Sequence, residues 1–453
     1  MIELKPHQKL PIKFMKTNRA LLLFHSVGSG KTLTALYAMY QFDLDIIIVG
    51  DKGSKNTFVE NIKKANLNFD RFNFYTYSKI KKLVEDDVTF FKNKSVILDE
   101  AHRIRTENMR NMYLSSALLL ASKIMLLTAT PVINYLNDLS VLINIVRGED
   151  VLPTEKKLFD QLFYDDENKT IINSSILFSR LKNTLSYYMA PISEDYPIFH
   201  THYIQIEMNH EQVDEYAYYI RKIIYEGDTT INSADILNIN YGLLPNKKKN
   251  FFLNVTRQLS NTLLNQDPSA PSPKILAIYN KITEGPSPSI VYSNFLRKGI
   301  YALAILLEKN HIQYKSITGN TTPDKLKNIV ESYNKGLYTV LLISSAGSES
   351  LDLKNTRQIH LMELHWNQAR IQQVIGRAIR YKSHSLLTPK HRVVDIYYWI
   401  SIFPSGIKNE TADQYLMRLS KLKSNLWDKY QKIIISASIE NNFSGGSYKQ
   451  KYF

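Results

Sequence analysis

Apolar residues fall in short unbroken runs along the first 150 positions: Leu21 to Phe24, Ile46 to Val49, Phe72 to Tyr75, Val96 to Leu98 and Ile124 to Leu127. Runs of this length, each followed by polar residues and separated by helix-period stretches such as Thr34 to Met39, predict buried parallel strands alternating with helices. From Val151 to Asn265 the pattern changes to longer helical periodicity, clearest over Gln212 to Tyr225 and Phe251 to Leu264. Two stretches there read as low-order: Asn246 to Asn250, with its three lysines, and the proline-rich Gln266 to Pro273, which suits a linker. After Lys274 the strand rhythm returns at Ser289 to Tyr292, Tyr314 to Ile317, Val340 to Ile343, Gln358 to Met362 and Val393 to Tyr397. The pattern therefore predicts an α/β chain with two parallel sheets. Its expected divisions are 1–150, a helical insertion and linker at 151–270, a second α/β lobe at 271–400, and a helical tail at 401–453. In that tail Tyr415 to Ile435 is basic and helix-like, and Ser444 to Ser447 is expected to fray.

Composition adds an outward-facing clue. With 453 residues, 44% hydrophobic and 22% charged, the chain has ordinary globular content and enough length for two or three domains. The net charge of +15 favours a polyanionic partner such as nucleic acid. The absence of cysteine excludes a disulfide scaffold and thiolate metal sites, and fits an intracellular protein. No window is apolar for long enough to span a membrane, so no membrane partner is expected.

The run Leu21 to Phe24 leads into His25-Ser26-Val27-Gly28-Ser29-Gly30-Lys31-Thr32. A glycine-rich turn between a strand and a helix aims backbone N–H groups at phosphates, so Ser26, Val27, Gly28, Ser29 and Gly30 form a candidate cradle. Lys31 would reach the β/γ-phosphates, and the Thr32 hydroxyl would take Mg²⁺. The first glycine of the usual loop is replaced by His25, a variant that suits helicase-type motors.

Val96 to Leu98 runs into Asp99-Glu100-Ala101-His102, which puts two carboxylates at a strand end. Asp99 suits the Mg²⁺ that bridges terminal phosphates, Glu100 suits the base that orients and deprotonates water, and His102 suits a γ-phosphate sensor. Ile124 to Leu127 leads likewise to Thr128-Ala129-Thr130-Pro131, whose hydroxyls can link the carboxylates to a moving element or cap the next helix. Far downstream, Gln373, Arg377 and Arg380 lie in QVIGRAIR, where the two arginines are three apart and expected on one helix face. Arginine clamps a developing phosphoryl transition state, so hydrolysis would need the two lobes to close.

In these motifs the chain resembles superfamily 2 helicase motors of the Swi/Snf-like branch. Within it, the chain is most similar to the nucleoside triphosphatases and early transcription factors of large cytoplasmic DNA viruses. Leu4 to Gln8 matches the adenine-reading element, with Gln8 as the implied base contact. Thr76-Tyr77-Ser78 matches a nucleic-acid-contacting segment, and Thr128 to Pro131 with Asn134 matches the coupling motif. Ile290 to Phe295, including Ser293 and Asn294, opens the second lobe as the family does. Ser344 to Leu353 matches the segment that touches strand and nucleotide, and His365-Trp366-Asn367 precedes the arginine motif. SYYMAPISEDYP from Ser186, Arg257 to Asn261, and IGRAIRYKSHSLL from Ile375 carry the viral subgroup signal. The chain departs from the pattern at Ser348, Ser350 and Asp352, where glycines and asparagine are usual, and at Ile379 in place of histidine.

The resemblance implies two RecA-like lobes, ATP and Mg²⁺ as nucleotide and metal, and a DNA-stimulated ATPase that translocates on duplex DNA, in viral transcription. Thr76, Ser78, Ser293, Asn294, Ser344 and Trp366 are the implied nucleic-acid contacts, with viral RNA polymerase or transcription-factor subunits as protein partners. Host cytoplasm, in viral factories, or the virion is the implied location. Two further readings stay open at this stage: a strand-separating DNA or RNA helicase, and a non-catalytic DNA-binding initiation subunit that uses ATP as a switch.

Overall fold

The computed structural model describes residues 3–105, 108–129, 135–189, 195–226, 237, 239–264, 271–345, 351–365, 368–407 and 409–443. They form two compact units, one of 1–191 with 423–453 and the other of 192–422.

In the first unit, β1 (Ala20–His25), β2 (Ile46–Gly50), β3 (Phe72–Thr76), β4 (Ser95–Leu98) and β5 (Lys123–Thr128) are the five strands expected from the apolar runs. Between β5 and the next sheet strand lies a small hairpin of β6 (Tyr164–Asp165) and β7 (Thr170–Ile171), and β8 (Leu185–Tyr188) completes the sheet. The order is β3-β2-β4-β5-β1-β8, with every pairing parallel. Strand alternation explains why these runs are apolar throughout. Ala20, Leu22 and Phe24 of β1 enter the layer shared with Val96, Leu98, Ile124 and Leu126. Leu21 and Leu23 enter the opposite layer, with Ile97, Met125, Leu127 and the helix residues Ala35, Leu36 and Met39. Both faces are covered, so no position can be polar until the strand ends. Register brings those ends together at one edge, pairing Phe24 with Thr128, His25 with Tyr188, and Gly50 with Thr76.

The second unit repeats the arrangement. β9 (Ile198–Glu207), β10 (Ser289–Ser293), β11 (Tyr314–Ile317), β12 (Val340–Ser344), β13 (Gln358–Leu361) and β14 (Val393–Ile402) pair in the order β11-β12-β10-β13-β14-β9, again all parallel. Ile290 and Tyr292 face one core and Val291 the other.

Three expectations are corrected. The stretch 151–270 is not a unit of its own: its first part, including β8, closes the first core, while Tyr216, Phe252 and Leu259 pack into the second. It also holds two sheet strands, the short, mostly buried β8 and the alternating Ile198–Glu207, whose signal the neighbouring helical runs obscure. Finally, the triple lysine is the first turn of the helix Asn246–Asn261, and Lys248 pairs with Glu226. The expected linker lies mostly outside the described residues, and Ser272 caps the following helix Pro273–Glu284 by accepting from Ile275 N. The tail helix spans Ala412–Ala437, starting in the second unit and ending in the first. No helix among the described residues is long and apolar enough to cross a membrane.

Candidate nucleotide site

The turn after β1 is shaped by two glycines with left-handed backbone, Gly28 at φ +77° and Gly30 at φ +85°. Gly30 is also the N-cap of the helix Lys31–Tyr40, so backbone N–H groups of that first turn lack helical partners. A Cβ on Gly30 would stand 2.5 Å from the Gln8 amide nitrogen. Gln8 is nearly buried, donating to Gly30 O at 3.3 Å and accepting from Lys5 N at 2.9 Å. Lys31 Nζ donates to His25 O at 2.8 Å and Ser26 O at 3.1 Å, folding back over its own loop. Ser26 and Val27 are half-buried, as is Thr32 on the first helical turn, and Ser29 is buried with its hydroxyl unpartnered among the described residues.

Across the strand ends, Asp99 is pushed up to about 6, first by burial and then by the Glu100 charge, against the lowering influence of Lys31 and Ser54. Tyr77 fixes this turn by donating its hydroxyl to Asp99 O at 2.7 Å. Glu100 adopts a left-handed backbone at φ +51°, a strained conformation for a side-chain-bearing residue, and its buried Oε2 has no hydrogen-bond partner among the described residues. His102 Nδ1 is 3.3 Å from that oxygen and 3.2 Å from Thr128 Oγ1. Burial, then Arg105 and Arg103, lower the imidazole to about 4, so it is neutral near pH 7 and its contact with Glu100 is not an ion pair. Thr128 is buried, and the structure thus joins the two residues expected to couple. Thr130, Pro131 and Asn134 lie outside the described residues.

Directly after His102 the chain turns basic. Arg103 and Arg105 line a cavity of about 640 Å³ with Tyr77, Ser78, Lys81, Asn108, Met109 and Arg110. Ser78 is exposed there, whereas the Thr76 hydroxyl caps the helix Tyr77–Asp86 by accepting from Lys79 N.

In the second unit the helix Gln368–Ala378 carries Gln373 and Arg377, both half-buried. Arg380 lies beyond its end, so the arginines do not share a helix face as the spacing suggested. The chain leaves the helix because Arg380 N donates to Ser383 Oγ at 3.2 Å, while Arg380 Nε turns back to Gly376 O at 2.7 Å. Burial, then Arg377, lower its guanidinium to about 10, and Asp352 at 3.6 Å acts against that. Ser293 is fully buried, donating its one proton to Glu363 and accepting from Phe295 N at 3.1 Å, so its hydroxyl is turned inward rather than toward a strand. Asn294 is held on the same carboxylate through its N–H at 3.1 Å. Ser344 is buried, with its hydroxyl unpartnered among the described residues. Trp366, Asn367, Ser348 and Ser350 lie outside them.

Comparison with known proteins fits this geometry. Residues 43–267 match the SNF2-related domain and residues 273–382 the helicase conserved C-terminal domain. A protein of Acanthamoeba polyphaga mimivirus, carrying the provisional name of an ATP-dependent RNA helicase, is 60% identical over 98% of this chain and 99% of its own. The chain belongs to the SNF2-related helicases. A termination factor NPH-I homolog of African swine fever virus is 21% identical, over 95% of this helicase and 78% of the relative. The Hef helicase domain of Pyrococcus furiosus shares the fold, at 13% identity and a TM-score of 0.50, covering 92% of this chain and 98% of that one. Family membership makes this helicase an ATP hydrolase.

Several site residues were not singled out by sequence. Ser54 touches Asp99 and follows β2, so its signal was its place after a strand end. His7 accompanies Gln8, holding Ser29 O at 2.9 Å while its ring stacks on Tyr188 at 3.6 Å. Glu363 gathers Ser293, Asn294 and Asn261, a convergence from distant positions with no local signature. Among the described residues no three metal-ligating side chains cluster. The half-buried Asp99 and the Glu100 and Ser29 oxygens, which have no hydrogen-bond partner among the described residues, nevertheless fit a cation carried in with phosphate, since Mg²⁺ usually takes one or two carboxylates beside substrate oxygens.

Proposed function

We propose that this helicase hydrolyses ATP to translocate along duplex DNA, in viral transcription alongside RNA polymerase or transcription-factor subunits, in the host cytoplasm or the virion. Thr32 and Asp99 would hold Mg²⁺, which when bound neutralises charge on the terminal phosphates. The loop Ser26 to Lys31 grips the phosphates, Gln8 contacts the base, and Glu100 orients and deprotonates the attacking water. Gln373, Arg377 and Arg380 meet the charge that develops on the transferred group.

The observation that carries the nucleic-acid part is the basic cavity beside Ser78. Lys81 is lowered by burial and then by the neighbouring Arg103 and Arg110, the mark of mutually repelling cations that an anion would relieve. Asp51, Glu85 and Asp138 pair with Arg103, Arg110 and Arg105, which leaves Lys81 as the cation of this lining with no carboxylate partner among the described residues. Arg103 and Arg105 sit one and three residues after His102, so a phosphate held there acts on the segment that carries Glu100. Such contacts hold backbone without reading bases, as tracking requires. The name of the 60% identical relative favours a second reading, strand separation on RNA.

ATPase rates without polymer and with single-stranded DNA, duplex DNA and RNA, each at two salt concentrations, decide between them. Duplex DNA is expected to raise the rate several-fold, with a salt slope that falls by about one for each of Lys81 and Arg110 changed to Ala. Stimulation by RNA alone, together with separation of a forked RNA duplex in a gel assay, would establish the second reading, and a rate indifferent to every polymer would overturn both.

A further inference from the structure

We propose that Glu440, Ser186 and His25 form a hydrogen-bonded relay by which the helix Ile439–Phe443 positions the nucleotide loop, so that Glu440 and Ser186 are positioning residues for ATP binding. This rests on the reading of Ser26 to Thr32 as the phosphate cradle.

His25 stands where a glycine usually opens that loop, and its side chain has to be placed away from the phosphates. It is fully buried, with its Nε2 2.7 Å from Ser186 Oγ on the neighbouring β8 and its ring edge-on to Tyr188 and His7. Ser186 Oγ in turn donates to Glu440 Oε1, and Tyr187 N donates to Glu440 Oε2 at 2.9 Å. Both carboxylate oxygens are thus occupied as acceptors by β8, 253 and 254 positions away in sequence. The directions are fixed by elimination. Burial raises the Glu440 carboxyl while the hydrogen bonds from Ser186 and Tyr187 N act against that; in its ionised form it only accepts, so the single Ser186 proton then points to Glu440 and the remaining lone pairs of Oγ accept from His25. His25 therefore carries its proton on Nε2. Its Nδ1 has no partner among the described residues, and burial, then Lys31 and His7, hold the ring neutral.

The relay ends on the chemistry of the site. The carbonyl of His25 is the nearer of the two that Lys31 Nζ contacts, and the adjoining Ser26 N donates to Tyr188 O at 2.8 Å. Turning the imidazole shifts the peptide on which Lys31 rests. Because the cradle grips phosphates alike before and during transfer, loosening it weakens ATP binding without a matching loss of turnover.

The test uses full-length Glu440→Gln, Ser186→Ala, the double variant and Lys31→Ala, with fluorescent-nucleotide titration and basal ATPase kinetics. A Gln at 440 has one acceptor oxygen for two donors, so it must either oppose Tyr187 N–H with its own N–H or reverse the relay. The expected result is a rise of about tenfold in KM for ATP in each single variant, with kcat within about twofold and no further rise in the double variant. A purely structural role would lower kcat through the active fraction and leave KM alone. Native-like KM and nucleotide affinity in both single variants overturn the relay. Should Glu440→Gln not fold, Ser186→Ala, which removes one oxygen, carries the same decision alone. Native-like affinity in Lys31→Ala would overturn the cradle reading and the relay with it; lost affinity there beside native affinity in the others overturns the relay only.

Discussion

The imidazole Nδ1 of His102, just past β4, lies 3.2 Å from the hydroxyl of Thr128 at the end of β5. Two adjacent strand ends, one bearing the carboxylates and the other leading into the segment from 130, are thereby tied through a neutral ring. Thr128→Val keeps the shape and removes the hydroxyl. Since such a bond is worth about 1 kcal/mol, the ratio of polymer-stimulated to basal ATPase rate is expected to fall about fivefold. An unchanged ratio would remove Thr128 from the coupling path.

Glu100 has a strained backbone and a buried oxygen with no hydrogen-bond partner among the described residues, features that a residue serving only as a cap would not need. Glu100→Gln should lower kcat by about 10²–10⁴-fold while nucleotide still binds. Polymer-dependent rates equal to those of the native enzyme would instead favour ATP as a conformational switch.

Arg380 and Asp352 offer a contrast in magnitude. Asp352 is 59% exposed and 3.6 Å from the guanidinium, so the pair itself is worth at most about 1 kcal/mol. Asp352→Asn is therefore expected to alter kcat by less than about fivefold. Arg380→Lys, which removes a planar donor fork from a mostly buried position, should reduce it by 10²-fold or more, on the order of an arginine-finger loss. Steady-state kinetics on both variants check the ranking.

Buried histidines set the acid limit of stability. His360 is fully buried, stacked near Tyr397 and Trp399, accepts from Trp399 Nε1, and is lowered to about 3 by burial and Lys281. A folded value below the unfolded 6.5 means that its stabilising contribution is complete above pH 6.5 and is lost as pH falls toward 3. His360→Phe should lower stability at pH 7, where Trp399 loses its acceptor. Between pH 6 and 4 it should flatten the fall by one proton, about 1.4 kcal/mol per pH unit. Denaturant midpoints across that range measure both signs.

Much of this fold was legible because buried parallel strands have to be apolar throughout. Leu21 to Phe24 and Val340 to Ile343 announce themselves, and the residues after them mark the site. β8 and β9 were hidden because Leu185–Tyr188 is short and Ile198–Glu207 lies at a sheet edge, where alternation with exposed polar residues weakens the apolar signal. Arg380 was assigned to a helix because periodicity is blind to the hydrogen bond with Ser383 that ends it. The meeting of Glu440 with Ser186 follows from tertiary folding alone, and no local pattern around either residue encodes it.

The first unit is assembled from two stretches of chain, and its core includes Tyr430, Ile434 and Ala437 beside strands formed more than 230 residues earlier. Loop closure over such a span is entropically slow. During translation, the strands of this sheet are all synthesised by Tyr188, yet part of the core on one of its faces therefore stays uncovered until residues 423–443 emerge.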